Sequence, residues 1–536
     1  MSIKTPTPLA PATDVPVTRQ TRLAFGGLMA LIAGLCIYAI RQVDPDMFGH
    51  LNAGRLIVQH GGPAIDPFAF TSSGFEWMDV EYLAQALLWI AYDHFGSPGL
   101  IGLKLALGGG TIYFLWIAVR SVGDDWFILA PVFLLCTSTV SRYFIFRPQL
   151  ITFACFALFV AVLFRFMMAR KAALWLLPPV MLVWANAHGG FIAGLGAVGL
   201  TAIMCVTANV NVGGMGGRTA FKGTTPLFVT LAACAAVTFI NPWGIRQWQY
   251  LATELSNETN RRYILEWRPP GFSVDPWSWV ALIVITATLL AVGWIAERRR
   301  LQVGGLHAWQ WVMSAVPLIS LAYLSVRHVP LAALWTAPVI TLLGTAVNKS
   351  GPVPAFRRAW LVVCSVALIP VVLTVEFVAA HPAPVIAMGG ATLGVTDPCR
   401  VVKFMKETRL NGNLYNPLWW GSYVSWELYP AVRVSMDGRN VSLFPDSMVA
   451  ENLKFYSRDA GIANLEDPLR YSTDFLLVPS DAGILGLVRS DARWRQLYRD
   501  DHAFLFARAD VAHASLGKSI DGGSTGSASP CTQIFK

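Results

Sequence analysis

The stretch Val43-Asp44-Pro45-Asp46-Met47-Phe48-Gly49-His50 decides how this chain is read. It follows at once on the first long apolar run, Leu23 to Ile40. Two carboxylates and an imidazole therefore stand where a membrane helix meets water. Acidic groups at such a boundary are costly to hold unless something uses them. A solvated helix end, with Pro45 opening the next helix, would explain the stretch in isolation. The rest of the chain argues against that plain reading, because its other unusual polar residues collect on the same side of the membrane.

The 536 residues are 54% hydrophobic and only 14% charged, with a mean hydropathy of +0.50. Soluble domains carry about 25% charged residues. Many separate runs reach the ~20 apolar residues that a spanning helix needs. The expectation is an α-helical polytopic membrane protein with about eleven transmembrane helices, near 23–40, 98–119, 126–141, 148–166, 172–186, 190–208, 226–241, 277–296, 307–325, 329–346 and 359–379. Residues 1–22 lack a cleavable-signal pattern, so the first run reads as a retained helix behind a cytoplasmic N-terminal tail. The net charge of +9 does not point to nucleic acid, because the basic residues cluster between apolar runs.

Those clusters give an orientation. With the N-terminus inside, Arg19, Arg22, Arg120, Arg165, Arg170, Lys171, Arg218, Lys222, Arg298 to Arg300, Lys349, Arg357 and Arg358 all fall on the inner side. The transmembrane region then covers 23–380, and the residues beyond 380 lie outside.

The outer face differs in kind. Its first loop, 41–97, holds Asp44, Asp46, His50, Arg55, Asp66, Trp77, Asp79 and Glu81. Two helices are expected in it, at 46–59 and from Asp79 to Tyr92, with an extended segment and turn over Asp66 to Gly74 between them. Arg147, His188, Arg262, Arg327 and His328 lie in the other outer loops, against the orientation bias. They are expected to converge on a cavity beneath the first loop and hold a phosphate, with His50, Asp79 and Glu81 supporting the acidic pair. Residues 381–510 alternate short helical and strand patterns and read as a small extracytoplasmic α/β domain, followed by a flexible Gly/Ser-rich tail, 511–536. Six cysteines fall in apolar runs; Cys399 and Cys531 remain as a disulfide candidate. The chain has no Gly-rich phosphate loop before a helix, no CxxC and no HExxH.

Carboxylates on one membrane face, a cationic surround and lipid access suit a transferase whose sugar donor is linked to a lipid phosphate. The acceptor is a weak nucleophile that needs a base, and the leaving phosphate needs a cation. Here the chain resembles the polytopic GT-C glycosyltransferases, a superfamily with protein O-mannosyltransferases, aminoarabinose transferases and oligosaccharyltransferases. More closely it resembles bacterial GT-C-like membrane proteins with Asp44, Asp46, His50, Leu51 and Gly54, then Asp66 to Thr71 with Trp77, and a late Asp437-Gly438-Arg439. The resemblance implies a polyprenyl-phosphate-sugar donor, a glycan, lipid or protein acceptor, and the bacterial cytoplasmic membrane. It implies that Asp44 or Asp46 is the catalytic carboxylate; Glu81, in the same loop, is expected to join them in catalysis. An Asp-x-Asp also suits Mg²⁺ or Mn²⁺; catalysis without a tightly bound metal is the preferred reading. Two departures stand out. Mannosyltransferases show an adjacent Asp-Glu, and Trp419-Trp420 is followed by Gly421 rather than the Asp of oligosaccharyltransferases. A transporter or lipid-handling scaffold of the same architecture is the alternative.

Overall fold

The computed structural model describes residues 46–62, 65–72, 74–169, 172–213, 224–351, 386–387, 390–392, 398–439, 443–457, 467–515 and 532–533. Asp44 and the expected spans 23–40 and 359–379 lie outside these.

Helix α1, Asp46–His60, begins with an acidic residue in its first turn, where the helix dipole favours negative charge. It ends at Gly61 and Gly62, both at positive φ (78° and 85°), a left-handed termination open to glycine at little cost. Helix α2, Tyr82–Val122, is bent at Gly96 (φ 59°, ψ −148°), two residues before Pro98. Its first half is the expected second loop helix, and its second half is the expected span.

The apolar helices follow in order: α3, Trp126–Ser141; α4, Gln149–Ala169; α5, Leu177–Ala185; α6, Phe191–Gly213; α7, Thr225–Val237. After two short helices, α8 (Arg246–Ser256) and α9 (Glu258–Tyr263), come α10, Pro276–Arg298; α11, Ala308–Leu324; and α12, Val329–Lys349. Among the described residues five helices are long and apolar enough to cross a membrane, and four apolar helices are shorter. These coincide with nine of the expected runs. Within Val326–Lys349, 94% of the most apolar 18-residue window is buried inside the protein, so α12 is the centre around which the others pack. Trp184, Trp311, Trp335, Phe133 and Phe164 fill the core beside it.

The C-terminal region holds α13 (Cys399–Glu407), α14 (Leu418–Leu428), α15 (Asp446–Phe455), α16 (Leu485–Ser490) and α17 (Ala509–Ser515). Its strands are β1 (Gly412–Tyr415), β2 (Val432–Val434), β3 (Phe475–Pro479), β4 (Trp494–Arg499) and β5 (Ala503–Arg508), in the order β2-β1-β3-β5-β4. β1 runs parallel to β2 and β3; β3–β5 and β5–β4 are antiparallel. The sequence pattern anticipates β3 as a buried strand and the β4–β5 pair. Thr532–Gln533, within the expected flexible tail, pairs with Gly390–Thr392.

This region does not stand apart from the first loop. Met47, Phe48 and Leu51 of α1 share one buried cluster with Phe68, Trp77, Val424, Val434 and Leu477. The loop also closes the edge of the sheet. Ala69 pairs in parallel with Val434, and Phe70 N–H donates to the Val434 carbonyl at 3.0 Å. Exposed strand edges need such covering. This core therefore draws on residues from both sides of the expected boundary at 381, which itself lies outside the described residues.

Candidate functional site

The cavity beneath the first loop has a volume of about 670 Å³. Three structural layers meet at it. Helix α1 brings Asp46 and His50; the segment before α2 brings Asp79 and Glu81; the ends of the apolar helices bring Arg147, just before α4, and Arg327, just before α12. α8 and the segment after it add Tyr250, Glu254 and Glu266, and the C-terminal region closes one wall with Trp419, Ser422, Gly438 and Arg439.

Arg147 sits between two carboxylates, 2.6 Å from Asp46 and 3.2 Å from Glu266. It is therefore committed to fixing Asp46 at the cavity wall. Arg327 is placed differently. Its guanidinium lies 4.2 Å above the Trp267 ring, and among the described residues it makes no ion pair. A guanidinium held by an aromatic face keeps its N–H fork available for an anion.

Glu81 faces His50 Nδ1 at 3.8 Å and His188 Nε2 at 3.6 Å. Its side chain keeps 27% of its surface open to the cavity, yet it lies deep in protein. Burial pushes its carboxyl up to about 8, with Asp79 and Glu254 adding to the rise and Arg327 and Arg147 opposing it. Burial likewise pushes Asp79 up to about 7, against the Glu81 N–H that it accepts and against Arg439. The Asp79 Oδ2 is buried and finds no hydrogen-bond partner among the described residues. Desolvation disfavours the charged form of both acids.

His188 is not the phosphate-binding cation that the sequence suggests. Its Nδ1 accepts the Gly190 N–H at 2.9 Å and lies 2.8 Å from the Thr152 hydroxyl. A backbone N–H can only donate, so the ring proton belongs on Nε2, aimed at Glu81. Burial lowers the His188 pKa to about 3, with Arg327 and His50 contributing. It is a neutral donor.

Of the residues singled out from the sequence, Asp46, His50, Asp79, Glu81, Arg147 and Arg327 line the cavity, and His188 stands behind Glu81. Arg262 does not reach it: the residue is exposed on α9, and its carbonyl accepts from Arg268. Nor does His328, whose Nδ1 is buried without a hydrogen-bond partner among the described residues and which lies off the cavity wall. Cys399 is disulfide-bonded; Cys531 and Asp44 lie outside the described residues. Sequence reasoning missed Glu254, Glu266 and Trp267 as cavity residues, and nothing local marks them. As for a divalent cation, Asp46 offers a carboxylate already paired with Arg147, and the described residues gather no group of three His, Cys, Asp or Glu side chains that could hold an ion.

With this geometry in view, two solved structures are similar across most of the chain. An oligosaccharyltransferase, AglB from Archaeoglobus fulgidus, in complex with an inhibitory peptide and a dolichol-phosphate, matches with a TM-score of 0.55 at 9% identity, over 86% of this chain and 70% of that one. ArnT from Cupriavidus metallidurans, bound to undecaprenyl phosphate, matches with a TM-score of 0.50 at 13% identity, over 92% of this chain and 99% of that one. The chain has a GT-C-like fold. It is a multi-pass membrane protein. No protein-family model matches it, and no curated protein does. At such identities the likeness is one of fold, so residue roles in this GT-C-like chain rest on its own geometry.

Proposed function

We propose that the protein is a membrane glycosyltransferase. It transfers a sugar from a polyprenyl-phosphate-linked donor to a glycan, lipid or protein acceptor on the outer face of the bacterial cytoplasmic membrane, with its N-terminus inside and its C-terminal region outside. The observation that carries this reading is one cavity, at the ends of the apolar helices, that holds both a fixed carboxylate, Asp46, and a cation without an ion-pair partner among the described residues, Arg327. The fold likeness to AglB and ArnT, whose solved structures held dolichol-phosphate and undecaprenyl phosphate, supports the donor class.

In the proposed step the acceptor oxygen attacks the anomeric carbon. The bond from that carbon to the phosphate oxygen breaks, and polyprenyl phosphate leaves. The acceptor proton passes to Asp46, a general base held in place by Arg147. Arg327 takes up the charge that develops on the leaving phosphate. Glu81, protonated below about pH 8, serves as a hydrogen-bond donor into the cavity rather than as the base. Leu265, on the cavity wall and 57% exposed, offers apolar surface to the isoprenoid chain.

The test uses the full chain in liposomes with a polyprenyl-phosphate sugar and a panel of acceptors. Release of polyprenyl phosphate with a glycosylated product, read by mass spectrometry, is expected. Movement of intact donor across the bilayer without consumption would instead make the protein a transporter.

A further inference from the structure

Two sequence motifs play no part in the chemistry above: Asp66 to Thr71 and Asp437-Gly438-Arg439. We propose that they form a seat that sets the position of the Asp46 carboxylate, making Gly438 and Arg439 positioning residues for the reaction proposed above, on which the assignment rests.

Arg439 is nearly buried, with 12% of its side chain exposed, and Asp66 is wholly so. The guanidinium donates to Asp66 Oδ1 at 2.6 Å and to Asp437 at 2.9 and 2.6 Å. It lies 4.7 Å from the Trp77 ring centre and 5.1 Å from that of Phe68. Asp66 also accepts the N–H groups of Phe68 and Ala69, both at 3.0 Å, and the Ser72 hydroxyl. The buried guanidinium is held by a hydrogen-bonded carboxylate on either side, and its loss would leave both carboxylates buried without a cation. The backbone between Asp437 and Arg439 is thereby pinned against the first loop.

Gly438 is the residue so pinned. A Cβ added there would stand 2.2 Å from Asp46 Oδ1, 2.9 Å from its Cγ and 3.2 Å from the Ser422 Oγ. Gly438 is not at positive φ, so no turn demands glycine; the carboxylate does. On its other side Asp46 meets Arg147 at 2.6 Å. The carboxylate is gripped between a guanidinium and a bare Cα.

The experiment is a double-mutant cycle on the full chain in detergent, with Gly438→Ala and Asp46→Gly made singly and together. Melting temperature is read alongside transfer. Gly438→Ala should lower the melting temperature, and most of that loss should vanish in the Asp46→Gly background, where the 2.2 and 2.9 Å contacts are gone and only Ser422 Oγ at 3.2 Å remains. In liposomes Gly438→Ala should lower kcat by about 10²-fold or more with the donor KM within about twofold. If Gly438→Ala does not fold, Asp46→Gly must rescue it. The proposal is overturned if Gly438→Ala costs the same in both backgrounds, if the rescue fails, or if the single variant melts and turns over like the wild type. The cycle needs no activity, so an inactive wild-type protein would defeat the glycosyltransferase reading while the seat stood or fell on melting alone.

Discussion

At the scale of single residues the site divides its charges by partner. Asp46 is paired and fixed; Glu81 is half-buried beside Asp79 and faces two imidazoles. With a pKa raised from an ordinary 4.5 to about 8, Glu81 binds its proton more tightly folded than unfolded. Its protonated form stabilises the fold fully below about pH 4.5, and that contribution is lost as pH rises toward 8. Asp79, at about 7, adds the same sign over a lower window. Melting temperature should therefore fall between pH 5 and 8.5, and Glu81→Gln should flatten the upper part of that fall; an unchanged slope would count against the burial argument. Arg327 allows a second prediction. In the proposed step Arg327 holds the phosphate as it leaves, so Arg327→Ala should lower kcat/KM for the donor by the equivalent of about 1.5–3 kcal/mol, with Arg327→Lys intermediate because a point charge replaces a fork. The Asp, His and Arg residues at loop ends were legible in the sequence because they broke the membrane pattern. The role of His188 was not: its tautomer depends on Thr152 and Gly190, contacts that no spacing shows.

At the scale of elements, hydrophobic run length located the helices well. The expected loop helix ending at Tyr92 and the expected span from 98 are instead joined in α2 across the bend at Gly96. Less legible was why α1 carries glycines on the side facing its neighbours. A Cβ at Gly54 would lie 2.1 Å from the Gln85 carbonyl oxygen of α2, a backbone atom that cannot swing aside. Gly54→Ala should destabilise by about 1–3 kcal/mol through overpacking. Gly102, in the second half of α2, has nothing within 4 Å of such a Cβ, and Gly102→Ala should leave the melting temperature unchanged or slightly raised. Equal effects at both positions would refute the close crossing of α1 and α2.

At the scale of the whole molecule, the sequence divides the chain at residue 381, while the packing joins its two ends. Asp66 and Arg439 are 373 residues apart, and no local pattern could pair them; only the motifs at Asp66 to Thr71 and Asp437 to Arg439 hinted that both ends mattered. The orientation rests on Lys/Arg bias, so reporter fusions at Lys222 and at the C-terminus should report opposite sides of the membrane. The same side for both would sink the proposal that the cavity faces outward.

The central claim is that the Asp46 carboxylate, and not merely its bulk, drives sugar transfer. The direct measurement is kcat for transfer from a polyprenyl-phosphate sugar by Asp46→Asn, at matched membrane abundance and melting temperature. A fall of about 10²–10⁴-fold, as expected for loss of a general base, is predicted; transfer within a few-fold of wild type would contradict it.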